Sequence, residues 1–181
     1  RIMDIKVHRG LEQIGGCITE ISTATSRVFI DFGQNLPGNG EPTTPEQDRL
    51  MVENIFATNA KTHEAVFYTH GHEDHVGLFE YIPTYVPQYM SDGTKELLLI
   101  KYRTLKEGVE LSLAQLQNDA NSIKEQIEEE NFKKSNAENK IKIIARMNSW
   151  GRTSPGKKPS PIFIGDITIT PFFNCHSIYD S

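Results

Sequence analysis

The chain has 181 residues, with 19 Lys and Arg against 24 Asp and Glu, and a formal net charge of −5. That is one domain of ordinary size, large enough for a real core, and 37% hydrophobic with 24% charged residues is the composition of a soluble globular protein, somewhat polar. No run approaches the roughly 20 apolar residues of a bilayer span, and the acidic balance argues against this segment alone being a basic nucleic-acid clamp.

The start, Arg1 to Lys6, lacks the apolar run of a secretory signal. Two cysteines, Cys17 and Cys175, do not make a disulfide framework, and both read as small buried side chains in strand-like contexts. The expected setting is the cytoplasm, without membrane association.

Ile5-Lys6-Val7, Cys17 to Ile21 and Arg27 to Asp31 are β-branched runs separated by glycine and polar turns, which predicts an antiparallel sheet. Gly33 permits a sharp departure after the third run. Residues 34–47 are a Pro, Gly, Asn and Thr loop. A helix is predicted over 46–59, with Leu50, Ile55 and Phe56 as its apolar face. Ala65 to Tyr68 is a buried strand that runs directly into Thr69-His70-Gly71-His72-Glu73-Asp74-His75, and a helix is expected over 76–82 with Asp74 as its N-cap. Between 94 and 148, Val109, Leu113, Leu116, Ala120, Ile123 and Ile127 recur at helical spacing, so a helical insertion, best read as a hairpin of helices, spans 94–150. Ile141 to Ile143 reads equally as helix or strand. Residues 152–161 form a loop, after which 161–164 and 167–173 pair as a hairpin around Gly165-Asp166. His176 follows its exit.

The chemistry concentrates at His70, His72, Asp74 and His75. Imidazoles two residues apart on a loop leaving a strand can converge on one cation once the backbone turns, which Gly71 allows. Asp74 and His75, one step further round, are placed to hold a second ion, and two ions roughly 3.5–4 Å apart clamp attacking and leaving oxygens. Burying three imidazoles and a carboxylate together without a metal is costly, which favours a metal site over a structural cluster. Asp31 has two open readings: turn chemistry, or a carboxylate that orients a metal-bound histidine. His8 and His63 have no such context and read as ordinary.

The run Thr69-His70-Gly71-His72-Glu73-Asp74-His75-Val76-Gly77 resembles the metallo-β-lactamase superfamily, and within it the ribonuclease J branch. His8-Arg9-Gly10, Ile14 to Ile18 and Ile30-Asp31-Phe32-Gly33 are similar to that branch's first strands, and Cys175 to Ser181 to its third metal motif, with Tyr179 where proline is usual. The resemblance covers residues 1 to about 90 and 160–181. It implies an α+β fold, the αββα sandwich, present here as roughly its first half in a partial domain over 1–181. It also implies two divalent ions, zinc or manganese, and hydrolysis of RNA phosphodiester bonds by a metal-activated hydroxide. His70, His72 and His176 would hold one ion, Asp74 and His75 the other, with Asp31 in support and Asp74 and His176 catalytic. The remaining ligands, the second half of the sandwich and the nucleic-acid clamp would follow Ser181, so the isolated chain is expected to have an incomplete second metal position. A lactam or thioester hydrolase of the same fold is the alternative enzyme. The alternative class is an interaction module or homodimer formed through 94–150.

Overall fold

A computed structural model describes residues 2–38, 42–119, 121, 123–151 and 159–173. The chain divides into two compact units, Arg1–Thr94 with Met147–Ser181, and Lys95–Arg146.

The first unit is built on a six-stranded sheet in the order β1-β2-β3-β4-β5-β6. Its strands are β1 (Asp4–Arg9), β2 (Ile18–Ser22), β3 (Ser26–Ile30), β4 (His63–Phe67), β5 (Gln88–Ser91) and β6 (Asn148–Trp150). The expected antiparallel sheet holds only for β1-β2-β3; from β3 onward every pairing is parallel. Parallel neighbours need a crossover, and α1 (Pro45–Ala57) supplies it between β3 and β4. Strands β5 and β6 were not anticipated, because Gln88-Tyr89-Met90-Ser91 and Asn148-Ser149-Trp150 are short and contain no Val, Ile or Thr.

Side chains alternate across the pleat. On one face Val28, Ala65 and Phe67 form a cluster with Ile164 and Ile167 of a hairpin, β7 (Ile162–Ile164) and β8 (Ile167–Ile169). On the other face Phe29 packs at 5.0–5.2 Å between ring centroids against Phe56 of α1 and Phe32. Thr44 caps α1 in a reciprocal capping box with Gln47, and Pro45 takes the first turn, where its missing N–H costs nothing. Val52, Ile55 and Phe56 are buried, whereas Leu50, expected on the apolar face, is exposed.

A charged knot lies inside this layer. The Arg27 side chain is 1% exposed and its Nε donates to Glu64 Oε1 at 2.5 Å. Its Nη atoms donate to the carbonyls of Ile55, Phe56 and Thr58, the open end of α1. A cation at a helix C-terminus satisfies carbonyls that the helix cannot. The guanidinium also sits 5.0 Å from the Phe29 ring centroid. Beside it, His8 Nε2 and Glu20 Oε2 pair at 2.7 Å.

The hairpin turn at Gly165-Asp166 agrees with expectation, although β8 stops at Ile169. Gly165 has φ +57° and Asp166 an ordinary φ, the pattern of a two-residue turn with glycine first. Hydroxyls of Ser26, Thr23 and Thr25 donate to the Asp166 carboxylate and hold its pKa down from the usual 3.8 to about 2. A depressed carboxylate pKa adds stability above the unfolded value, and this is lost as pH falls through the folded one. In melts across this range, Asp166→Ala is therefore expected to lower Tm modestly at neutral pH. The gap from wild type should close between about pH 4 and pH 2. A constant gap would show that the carboxylate's charge is not what fastens the turn.

The second unit is a pair of helices, α3 (Asp92–Asn118, which begins in the first unit) and α4 (Lys124–Arg146). They run antiparallel, as shown by Tyr102 beside Lys140, Lys106 beside Glu138 and Glu110 beside Lys134. The expected apolar seam is split by the connection between them: Val109 and Leu113 are buried, Ile123 is exposed, and Ala120 lies outside the described residues. Ile141 to Ile143 is helical. Among the described residues no helix is long and apolar enough to cross a membrane.

Candidate functional site

Strands β3 and β4 are parallel neighbours, Ile30 beside Phe67, so their C-terminal exits lie side by side. That edge is where open sheets of parallel strands commonly bind ligands. Asp31 leaves β3 there and Thr69 leaves β4. Asp31 has φ +63°, a left-handed conformation unusual for a residue with a β-carbon, and it is 3% exposed.

The carboxylate of Asp31 gathers the turn around itself. Its Oδ1 accepts the Thr69 backbone N–H at 2.7 Å. Its Oδ2 lies 2.8 Å from Thr69 Oγ1 and 2.7 Å from His75 Nδ1. Thr69 Oγ1 is in turn 3.0 Å from His70 Nδ1. Asp74 Oδ2 approaches the other nitrogen of His75, Nε2, at 3.5 Å. The His70 ring centroid is 4.8 Å from that of His72 and 4.1 Å from that of His75. The bond from Asp31 raises the pKa of His75 above the usual imidazole value, helped by the charges of Asp31 and Asp74 and opposed by burial. Desolvation, with Asp31 nearby, also keeps the buried Tyr68 hydroxyl protonated, and it donates to Gln88 Oε1.

The backbone of the turn is held as firmly as its side chains. The carbonyls of Glu73, Asp74 and His75 accept from the N–H groups of Gln34, Cys17 and Phe32. Arg9 binds the carbonyls of Gly16 and Gly33 and pairs with Asp48 at 3.0 Å, tying both supporting loops together. This pinning ends the helix predicted over 76–82. It is reduced to α2 (Glu73–Val76) and a separate 3-10 turn at Phe79–Tyr81, because the His75 carbonyl is already taken by Phe32. The N-cap is His72 and not Asp74. Gly71 is not left-handed either, whereas Asp31, at the exit of the neighbouring strand, is. Cys17, expected to be buried, is half-exposed, and burial together with Asp31 and Asp74 pushes its thiol pKa up.

The structure thus brings His70, His72, Asp74, His75 and Asp31 to one edge of the sheet. His176 and Cys175 lie outside the described residues. Among the described residues no group of three or more His, Cys, Asp or Glu side chains is disposed to hold a metal ion. His8 is engaged with Glu20, and His63 lines a separate cavity of about 300 Å³ with Lys61, Tyr85 and Phe163. Sequence reasoning included Thr69 and Arg9 in the runs that carry the resemblance but gave neither a role; Arg9 ends β1, and its partners Gly16, Gly33 and Asp48 come from other stretches of the chain.

No family model matches the chain. Over 94 residues, half of its length, it is 34% identical to the transcription termination factor FttA of Methanosarcina mazei. Over 95 residues it is 26% identical to the protein of the same name from Thermococcus kodakarensis. The chain spans 14% and 15% of these two proteins. A protein of unknown function from Enterococcus faecalis V583 shares the fold over 92% of this chain and 36% of its own, with a TM-score of 0.53 and 20% identity. The chain therefore has a mixed α/β fold found in a larger protein, and sequence similarity over half its length to transcription termination factors.

Proposed function

We propose that this chain carries the metal-binding turn of a metal-dependent hydrolase that cleaves phosphodiester bonds in RNA. The observation behind this reading is the placement of His70, His72, Asp74 and His75 on one pinned turn, with Asp31 holding Nδ1 of His75. A carboxylate on one imidazole nitrogen orients the ring and leaves the lone pair on the other, the usual support for a metal-bound histidine. Three imidazoles and a carboxylate are the donors that zinc and manganese accept. His70, His72 and His176 would hold one ion, and Asp74 and His75 the other; under this reading the ligand set is closed by side chains outside the described residues. Divalent ions supply Lewis acidity and lower the pKa of water toward neutrality. Asp74 receives the proton of the attacking water at its carboxylate, while Asp31 and Thr69 keep the rings in place. The similarity to transcription termination factors supports RNA over a lactam or thioester as the substrate.

The test is the protein in its full natural length, supplied with zinc or manganese and offered 5′-monophosphorylated RNA and a chromogenic lactam in parallel. RNA shortening with the lactam untouched is expected, and Asp31→Ala should weaken metal affinity or activity by about 10–100-fold. Lactam turnover without RNA cleavage would transfer the reading to small-molecule hydrolysis. Failure to bind either metal would remove it.

A further inference from the structure

We propose that Thr69 is a positioning residue which, with Asp31, sets the tautomers of His70 and His75, so that each ring keeps its proton on Nδ1 and its lone pair on Nε2. An ionised carboxylate only accepts, and a hydroxyl has one proton to give. Both groups near Asp31 Oδ2 must then donate to it: Thr69 Oγ1 at 2.8 Å and His75 Nδ1 at 2.7 Å. That fixes the proton of His75 on Nδ1. It also spends the Thr69 proton on Asp31, leaving Oγ1 with lone pairs alone. His70 Nδ1, 3.0 Å from that oxygen, has to be the donor.

The buried setting makes this relay worth having. His70 is 4% exposed, and imidazole in water favours the opposite tautomer, with the proton on Nε2. A neighbour that can only accept, Thr69 Oγ1, favours the Nδ1 proton on His70 instead. The threonine is tied to the same carboxylate at two points, by its backbone N–H to Oδ1 at 2.7 Å and by its hydroxyl to Oδ2 at 2.8 Å. One carboxylate therefore orients one imidazole directly and a second through a hydroxyl. The tautomer assignment stands on hydrogen bonding alone; its purpose, offering Nε2 to a cation, rests on the reading of His70 and His75 as metal ligands.

The experiment is long-range ¹H–¹⁵N NMR of the imidazoles in the metal-free chain at about pH 8.5, above the ordinary imidazole pKa, for wild type, Thr69→Ser and Thr69→Val. In wild type and T69S both rings should be protonated on Nδ1. In T69V, His70 should shift toward the Nε2-protonated form while His75, still on Asp31, stays as it was. Wild-type His70 protonated on Nε2, or a His70 tautomer unchanged in T69V, would overturn the proposal. Should T69V fail to fold, wild type and T69S decide, since the relay demands the Nδ1 proton in both. A zinc titration of the same proteins gives a second readout, with T69V weakened about 10–100-fold and T69S near wild type. Absence of zinc binding in all three would count against the metal reading and leave the tautomers standing.

Discussion

Arg27→Met is expected to cost about 3–5 kcal/mol of folding stability, the loss seen when one partner of a buried ion pair is removed. Methionine keeps much of the volume and the contact with Phe29 and Phe56, so the loss is chiefly polar. Glu64 would be left as a buried carboxylate without its cation, and the carbonyls of Ile55, Phe56 and Thr58 without their donors. Each orphaned buried group costs about 1–3 kcal/mol. Arg27→Lys retains charge but has one ammonium where the guanidinium serves a carboxylate and three carbonyls, so it should fall between wild type and R27M. Adding Glu64→Gln to R27M should recover part of the loss by removing the stranded charge. Urea unfolding of the four proteins measures all of this. Since domains of this kind are stable by about 5–15 kcal/mol, R27M would stand near the threshold of folding. A loss below about 1 kcal/mol would mean that the knot is not what joins α1 to the sheet.

The same residue shows where sequence reading stops. In the run Arg27-Val28-Phe29-Ile30 the β-branched and aromatic residues locate a strand, but nothing in it says that the arginine points inward, because its partners come from the end of α1 and from β4. Parallel pairing was hidden for a similar reason: β5 and β6 are short polar-aromatic segments that become strands by hydrogen bonding to β4 and to each other. The histidine cluster was legible because its residues are close in sequence and chemically conspicuous. Asp31 could be named but not assigned, since its geometry depends on a neighbour 38 residues away. Thr69 stood in the same run without a role, because a hydroxyl becomes informative only when its partners are known. The glycines were the most instructive. Gly71 and Gly33 were both read as points of backbone freedom, yet neither adopts a positive φ. At Gly33 the requirement is space.

That requirement sets the second large effect, for Gly33→Ala. A β-carbon at this position would overlap the carbonyl oxygen and carbon of Asp74 and press on the N–H of His75. These are backbone atoms of the histidine turn, held by Cys17 and neighbouring loops, so they cannot rotate aside as a flexible side chain would. Overpacking of this sort costs about 1–3 kcal/mol, occasionally more. The larger consequence is positional: either Gly33 retreats and releases its bonds to Cys17 and Arg9, or the turn retreats and carries Asp74 and His75 away from Asp31. In the second case His75 loses its Nδ1 partner, and metal affinity should fall by at least the roughly 10–100-fold expected for losing such support. The control is Gly108→Ala, since Gly108 lies within α3 with nothing within 4 Å of its would-be β-carbon. That change should raise stability by up to about 1 kcal/mol through helix propensity and leave zinc binding unchanged. Calorimetric zinc titration and urea unfolding of both variants separate the effects. If G33A bound zinc as wild type does, the close approach of these two backbones would have no bearing on how the histidines are held.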